Sequence, residues 1–226
     1  MLTTPAHDEV AQLAERAETL SAEELLRELV GRFGDRVALA CSFQKEESVL
    51  LDLLFAVEPK ARVFAIDTHH LFPETYELWR EVERRYDTKV EAFEGPPAAE
   101  LATAHGEELW ERRPDLYLSL AKVEPLVRAL AGLDCWITGV RREQSPTRAN
   151  APKLGWDDRH ELWKANPLAD WDDERVWAHI RERGLPYNPL HDRGYESIGD
   201  THSTVPGSGR AGRWAGSDRT ECGLHT

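Results

Sequence analysis

The sequence predicts an α/β fold in which helices flank a mostly parallel, doubly wound sheet. Short apolar runs alternate with stretches of helical period along most of the chain, which is typical of a parallel sheet covered on both faces. With 226 residues, of which 41% are hydrophobic, the chain is long enough to bury a sizeable core. We expect an α/β domain over residues 1–204, beginning with a helical segment over 1–30, and a flexible C-terminal tail over 205–226.

The elements follow one another in a regular order. Apolar residues at helical spacing occupy 6–30, where Ser21 and Glu24 form the pattern of a capping box. Strands are predicted at 36–43, 61–67, 89–93 and 134–140. Helices are predicted at 46–57, 73–86, 98–110, 121–131 and, after a segment at 161–168, at 172–184.

The C-terminal tail differs in composition from the rest of the chain. The stretch "VPGSGRAGRWAGSD" has four glycines, one proline and no apolar periodicity, which predicts a flexible connector able to act as a lid. It precedes Cys222, four residues from the end of the sequence. A cysteine on such a tail is either incidental or a mobile reagent.

Net charge and cysteine content weigh against several classes of protein. A net charge of −13 argues against general nucleic-acid binding, which needs a basic surface. The three cysteines, Cys41, Cys135 and Cys222, form no Cys-x-x-Cys pair, which argues against a disulfide scaffold and a local zinc site. No apolar run approaches the ~20 residues of a membrane span and no leader is visible, so we expect a cytoplasmic protein with Cys41 and Cys135 buried.

Polar groups follow the first two predicted strands, at the sheet edge where such folds bind ligands. After the first strand, Ser42, Gln44, Ser48 and the start of a helix offer donors that suit a phosphate or sulfate. Without a glycine fingerprint, an ordinary strand-to-helix turn remains an equal alternative. After the second strand, Asp67 and Thr68 stand where the ribose or base of a nucleotide would lie.

Arginines gather after the fourth predicted strand. Arg141, Arg142 and Arg148 lie within eight residues, and guanidinium groups match phosphate and sulfate oxygens. A solvated charge run is the alternative, but the position after a buried strand of an acidic protein favours anion binding.

The tail cysteine also has basic neighbours. Arg213 and Arg219 precede Cys222 and His225 follows it, and nearby positive charge favours the nucleophilic thiolate, although Glu221 acts in the opposite direction. A spare surface cysteine is one alternative. A metal site is another; its ligands would be Cys222, His225, Asp200 and His202. The adjacent His69 and His70 have no further ligand at suitable spacing, so a capped turn is favoured there.

Six motifs occur in one order from about residue 36 onward: "SFQKEESVLLDLL", "IDTHHLFPETY", "KVEPLVRAL", "GVRREQSPTRAN", "LPYNPLHDRGYESIGDTHST" and "ECGLH". In these the chain resembles the 3′-phosphoadenylyl-sulfate (PAPS) and adenylyl-sulfate (APS) reductases of assimilatory sulfate reduction. The resemblance implies an adenine-nucleotide α-hydrolase-like fold and a nucleophilic Cys222. Its thiolate would attack the sulfonucleotide, and thioredoxin or glutaredoxin would then release sulfite from the resulting S-sulfocysteine.

The resemblance and the residues above together imply a substrate site. Its expected members are Ser42, Phe43, Gln44, Ser48, Asp67, Thr68, Lys122, Arg141, Arg142, Arg148, Arg213, Arg219 and His225. Lys45, Arg141, Arg142 and Arg148 are the candidates for contact with a 3′-phosphate. A homodimer is expected from the relatives, with no nucleic-acid or membrane partner.

One departure from part of the family concerns an iron–sulfur cluster. Members with a [4Fe–4S] cluster carry four cysteines where this chain has Tyr117, Leu118, Asp200 and Ser203. Since such clusters are held by cysteine thiolates, we expect no bound cofactor, and PAPS as substrate, because cluster-free members usually use it.

Three rival hypotheses are weighed against PAPS reduction. A cluster-free APS reductase would use the same residues. An ATP pyrophosphatase usually has a Ser-Gly-Gly loop, which "CSFQKEES" lacks, and it has no use for "ECGLH". A non-catalytic nucleotide-binding redox sensor would release no sulfite.

Overall fold

The computed structural model describes residues 7–213, and within them six strands form one sheet in the order β3-β2-β1-β4-β6-β5. The strands are β1 (Val37–Ala40), β2 (Arg62–Asp67), β3 (Glu91–Glu94), β4 (Cys135–Ile137), β5 (Leu154–Asp157) and β6 (Leu162–Ala165). Neighbours pair in parallel, except that β5 is antiparallel to β6. The central strand β1 aligns Leu39 with Val63 of β2 and with Ile137 of β4. The predicted mostly parallel sheet is confirmed.

Helices connect the strands and cover both faces of the sheet. They are α1 (His7–Ala17), α2 (Ala22–Phe33), α3 (Lys45–Val57), α4 (Pro73–Tyr86), α5 (Ala98–His105), α6 (Leu109–Arg112), α7 (Pro114–Leu118), α8 (Glu124–Leu130) and α9 (Asp173–Arg183). The predicted capping box starts α2, where the backbone N–H of Ser21 donates to Glu24 at 2.8 Å. The predicted bounds of α4 are confirmed, with Pro73 in its first turn.

Two predicted helices differ from the structure. The helix expected over 98–110 is interrupted between α5 and α6, and the one expected over 121–131 begins earlier, at α7. Between α7 and α8 the backbone forms a π-helical turn, Ser119–Val123, one residue wider per hydrogen bond than an α-helix. Pro125, which has no N–H to donate, follows this turn and starts the regular helix again.

Two hydrophobic clusters pack against the sheet, one on each face, and a third smaller cluster lies among α5, α6 and α7. Leu39 packs in the larger cluster with α1, α2, α3 and α9, while the adjacent Ala38 packs in the other with Trp136 and α8. This alternation follows from the opposite directions of successive side chains along a strand. Cys41 and Cys135 are both buried, as predicted. No helix within residues 7–213 is long and apolar enough to cross a bilayer.

The first residues of the predicted tail are hydrogen-bonded to the domain. Val205 donates its N–H to the carbonyl of Gly212 at 2.9 Å, and Thr204 forms an isolated bridge with Arg213. Up to Arg213, therefore, this glycine-rich segment folds back on the loop before it. Residues 214–226, with Arg219, Cys222 and His225, lie outside the described residues, and the domain boundary at 204 stays a prediction.

We predict that Val49→Ala lowers the free energy of unfolding by about 2 kcal/mol, because Val49 is fully buried in α3 and loses two methyl groups from a packed core. Val127→Ala is the matched control, since Val127 is also helical but 54% exposed. Its effect should stay within about 0.5 kcal/mol. Urea unfolding measures both, and equal effects would contradict the assignment of the core.

Candidate active site

A cavity of about 380 Å³ opens at the carboxyl ends of β1, β2 and β4. Its floor is the strand ends themselves, and its walls come from the start of α3, the loop after β4 and the segment 196–213. This is the edge at which open parallel sheets bind ligands. The structure therefore has a cavity at the edge of the sheet where the sequence predicts the site.

Eight of the predicted site residues line this cavity: Ser42, Phe43, Gln44, Thr68, Lys122, Arg141, Arg148 and Arg213. Ser48 is buried inside α3 and is not among the lining residues. The carboxylate of Asp67 turns to the Tyr76 hydroxyl, 2.7 Å away, and Arg142 turns outward to Glu18 at 2.7 Å. The functional roles of all these residues stay predictions.

The turn after β1 is built around a strained residue. Phe43 has a φ of 57°, in the left-handed region that bulky residues rarely adopt. Its ring is buried and stacks on Trp79 with 5.1 Å between the ring centroids, which holds this conformation in place. Strain of this kind, about 1 kcal/mol or more, concentrates at ligand sites.

Gln44 joins two distant walls of the cavity. Its side-chain amide donates to the carbonyl of Ile198 and accepts the N–H of the same residue at 2.9 Å. These two bonds use one N–H and the oxygen of the Gln44 amide, which the sequence patterns predicted would contact the substrate. The structure thus uses Gln44 to fix the segment 196–200 over the cavity.

Glu47 is a buried carboxyl group beside the same turn. It accepts hydrogen bonds from the Ser42 hydroxyl at 2.8 Å and from the N–H of Gln44 at 3.0 Å. Burial, and then the charge of Glu46, raise the pKa of Glu47 to about 8. The group is therefore mostly protonated at pH 7. Position 139 must be glycine, because a Cβ there would collide with the Glu47 carboxyl group.

Arg141 is held by carboxylates on three sides. Its guanidinium contacts Glu46 at 2.9 Å, Glu143 at 3.0 Å and Asp173 at 2.9 Å, and Asp173 also pairs with Lys45. The arginines that are adjacent in the sequence therefore do not form one positive patch. Arg141 connects α3, the loop after β4 and α9, a structural role that sequence spacing did not indicate.

Lys122 lies on the opposite wall and pairs with Asp200 at 2.9 Å. The Asp200 side chain is only 1% exposed and also accepts the Thr68 hydroxyl at 2.9 Å and the Tyr117 hydroxyl at 3.4 Å. Burial acts to raise the pKa of Asp200, but the Lys122 ammonium and the hydrogen bonds outweigh it and hold this pKa below its ordinary value. The sequence patterns did not predict this ion pair.

An iron–sulfur cluster does not fit the residues present. Of the four relevant positions, Leu118 has no donor, and both oxygens of Asp200 are engaged by Lys122 and Thr68. Tyr117 and Asp200 do contact each other, but neither supplies the thiolate that such clusters need. Across residues 7–213, no group of three or more His, Cys, Asp or Glu side chains is placed to hold a metal ion.

Arg213, in the predicted tail, lies at the edge of the cavity. The Arg213 guanidinium donates to the carbonyl of Ile198 at 3.0 Å and lies directly on Gly199, where any Cβ would collide with it. Arg213 lines the cavity from there. The last described residue is thus fixed beside the candidate site.

Comparison with known proteins places these features in a family. The family model for the phosphoadenosine phosphosulfate reductase domain matches residues 36–206. A phosphoadenosine 5′-phosphosulfate reductase of Gloeobacter violaceus is 45% identical, over 94% of this chain and 92% of its own length. An adenosine 5′-phosphosulfate reductase of Shouchella clausii is 43% identical, over 89% and 86% respectively.

Solved structures agree on the fold. The phosphate complex of phosphoadenylyl-sulfate reductase from Candida auris has a TM-score of 0.79 and 34% identity, and covers 91% of this chain and 100% of its own. An FMN adenylyltransferase of Candida glabrata, at 17% identity and a TM-score of 0.60, covers 89% of this chain and 68% of its own and shares the fold alone. The expected adenine-nucleotide α-hydrolase-like fold is confirmed. The chain belongs to the phosphoadenosine phosphosulfate reductase domain family.

Proposed function

We propose that this chain reduces PAPS to sulfite and adenosine 3′,5′-bisphosphate, with Cys222 as nucleophile and thioredoxin or glutaredoxin as the source of electrons. The observation that carries the proposal is the position of Arg213, which is fixed on the cavity wall just before the cysteine-bearing tail. Family membership supports sulfonucleotide reduction as the chemistry.

In the first step, the Cys222 thiolate attacks the sulfur of the bound sulfonucleotide. A sulfur–sulfur bond forms, and the bond from that sulfur to the bridging phosphate oxygen breaks, with its electron pair leaving on the 5′-phosphate. An anion attacks an anionic group here, so fixed cations around the oxygens are needed. Lys122, Arg148 and Arg213 line the cavity and supply such charge.

In the second step, a thiolate of the donor protein attacks the sulfur of Cys222. The bond to the sulfo group breaks and its electron pair leaves with sulfite. A second donor thiol then displaces the Cys222 thiolate from the mixed disulfide, and the donor dithiol ends as a disulfide. The electrons that reduce the sulfur of the substrate thus come from the donor, and Cys222 is regenerated.

The chain length is sufficient for this role. Cys222 follows Arg213 by nine residues, and an extended segment of that length spans at most about 30 Å. This reach exceeds the dimensions of a cavity of about 380 Å³. The thiol therefore has enough chain both to enter the cavity and to leave it, which transfer to a second protein requires.

The choice of PAPS over APS rests on the absent cluster thiolates and on one candidate contact. Of the four cations considered for a 3′-phosphate, Lys45 and Arg141 are in buried ion pairs and Arg142 turns to Glu18. Arg148 lines the cavity and is half-buried, with one guanidinium N–H donating to the Gln144 side chain at 2.6 Å, and its position on the cavity wall supports it as that contact. APS reduction is the second candidate, because relatives 42% to 44% identical carry that name. The homodimer and the cytoplasmic location stay predictions.

We predict that purified protein with reduced thioredoxin releases sulfite from PAPS, and that Cys222→Ser abolishes release because a serine hydroxyl is a far weaker nucleophile. Binding of adenosine 3′,5′-bisphosphate, measured by calorimetry, should persist in this variant. Cys135→Ala is the control, since Cys135 is a buried core residue away from the cavity lining, and it should retain turnover.

The outcomes separate the hypotheses. Sulfite from APS but not from PAPS would keep the mechanism and reverse the substrate assignment. Turnover by Cys222→Ser would disprove the role of this cysteine. Nucleotide binding without sulfite release from either compound would favour the redox-sensor hypothesis.

Glu47 should make stability depend on pH. Its folded-state pKa of about 8 lies above the ordinary 4.5, so the folded protein binds more protons than the unfolded chain between these values. The free energy of unfolding attributable to Glu47 is therefore fully present below pH 4.5 and is lost as pH rises through 8. Glu47→Gln removes this titration. We predict that the variant gains stability over the wild type as pH rises, by at most about 1.4 kcal/mol per pH unit.

Urea unfolding at pH 5, 7 and 9 measures this difference. Glu77→Gln, on the exposed face of α4, is the control and should follow the wild type at each pH. Parallel curves for the wild type and Glu47→Gln would show that Glu47 is not held protonated by burial.

A further inference from the structure

The buried ion pair between Lys122 and Asp200 belongs to a cluster of polar contacts on one wall of the cavity. Three side chains donate to Asp200: Thr68 just after β2, Tyr117 in α7 and Lys122 in the π-helical turn. Two regions of the chain that are distant from Asp200 in the sequence therefore meet at its buried carboxylate. Its oxygens are thereby fixed in direction as well as in charge.

Among the titratable groups around the pair, Asp200 is the carboxylate that neutralises the charge of Lys122. His202 stacks on Trp110 with 4.6 Å between the ring centroids, and burial lowers the pKa of His202 to about 4, so its ring is neutral at pH 7. Burial likewise lowers the pKa of His70 and raises that of Tyr117. Asp67, the remaining nearby carboxylate, is bonded to Tyr76.

Lys122 is oriented by backbone geometry at one end and by Asp200 at the other. The π-helical turn Ser119–Val123 adds a residue to the helical path and so rotates the following side chains, a feature common at functional sites. A lysine ammonium has three N–H donors. Within the described residues its ion pair uses one of them, on Asp200, which leaves donors for an anion in the cavity.

We propose that Asp200 is a positioning residue for the reaction: its buried carboxylate holds the Lys122 ammonium at the cavity wall, where it contacts the anionic substrate. The identity of the substrate in this inference rests on the proposed function. The contact between Asp200 and Lys122 does not depend on it. Asp200 itself does not touch the reacting atoms. Thr68 and Tyr117 fix Asp200, which in turn fixes Lys122.

The decisive test compares Asp200→Asn, Lys122→Met and the double variant. If Asp200 acts by positioning, Asp200→Asn raises KM and lowers kcat/KM for PAPS by about 10- to 100-fold, since small misplacements of a binding group have effects of that size. The double variant should then be no worse than Lys122→Met alone, because the two changes remove one function. Asp192→Asn, at an exposed aspartate that precedes this segment and does not line the cavity, is the control and should leave both constants unchanged.

Two results would overturn the proposal. Tighter substrate binding by Asp200→Asn would mean that the carboxylate only weakens the positive field of the cavity. A lower kcat at unchanged KM, with losses that multiply in the double variant, would mean that Asp200 only stabilises the fold. A structural role alone would move the folded fraction but not KM.

Two further measurements keep the test valid if a single variant folds poorly. Removing one partner of a buried ion pair leaves an uncompensated charge, so the double variant should melt at a higher temperature than either single variant. Tyr117→Phe keeps both charges and removes one hydroxyl, which bonds Asp200 and His202, and should lower kcat/KM by a few-fold.

Binding of adenosine 3′,5′-bisphosphate separates this inference from the proposed function. A wild type that releases no sulfite disproves the function, whereas the binding constants of the same variants still report on the ion pair. Weaker binding by Asp200→Asn, with no additional loss in the double variant, supports the positioning role. Unchanged binding together with unchanged turnover disproves it.

Discussion

Buried charge must be compensated, and this constraint shapes the whole carboxyl edge of the sheet. An isolated ion in a protein interior is so unfavourable that it either pairs or becomes neutral. Both solutions occur around this cavity. Arg141 pairs with Glu46 and Lys122 with Asp200, whereas burial and the charge of Glu46 raise the pKa of Glu47. The cavity therefore presents positive groups in fixed places despite the net charge of −13 on the chain.

The same pairs join the walls of the site to one another. Arg141 ties the loop after β4 to α3 and α9, and Gln44 ties the turn after β1 to Ile198. Arg213, nine residues before Cys222 in the sequence, is bonded to the same Ile198. Under the proposed mechanism, in which the cavity admits a thiol from its own chain, this arrangement keeps the groups that bind the substrate fixed while a separate segment carries the thiol.

Sequence patterns identified many of the residues that line the cavity but not how their side chains are directed. The motifs after the first, second and fourth predicted strands do line the cavity, because parallel strands place their carboxyl ends at one edge. Direction was missed at Arg142, which turns to Glu18 although Arg141 beside it turns inward. The edge strand β5 was also missed, since "LGWD" lacks both a long apolar run and clean alternation. The partner of Lys122 is 78 residues away, at Asp200, and no local pattern reports such a contact.

The contact of Gln44 with Ile198 has a consequence for the order of synthesis. These residues are 154 positions apart, so the floor of the cavity leaves the ribosome long before the wall that closes it. Chains fold largely from the N-terminal end as they are made, and contacts of this separation form late. A nascent chain that stops short of this wall lacks Ile198, the partner that Gln44 bonds in the folded protein. For the proposed function, the nucleotide-binding cavity is thus complete only after the segment that precedes Cys222 has been made.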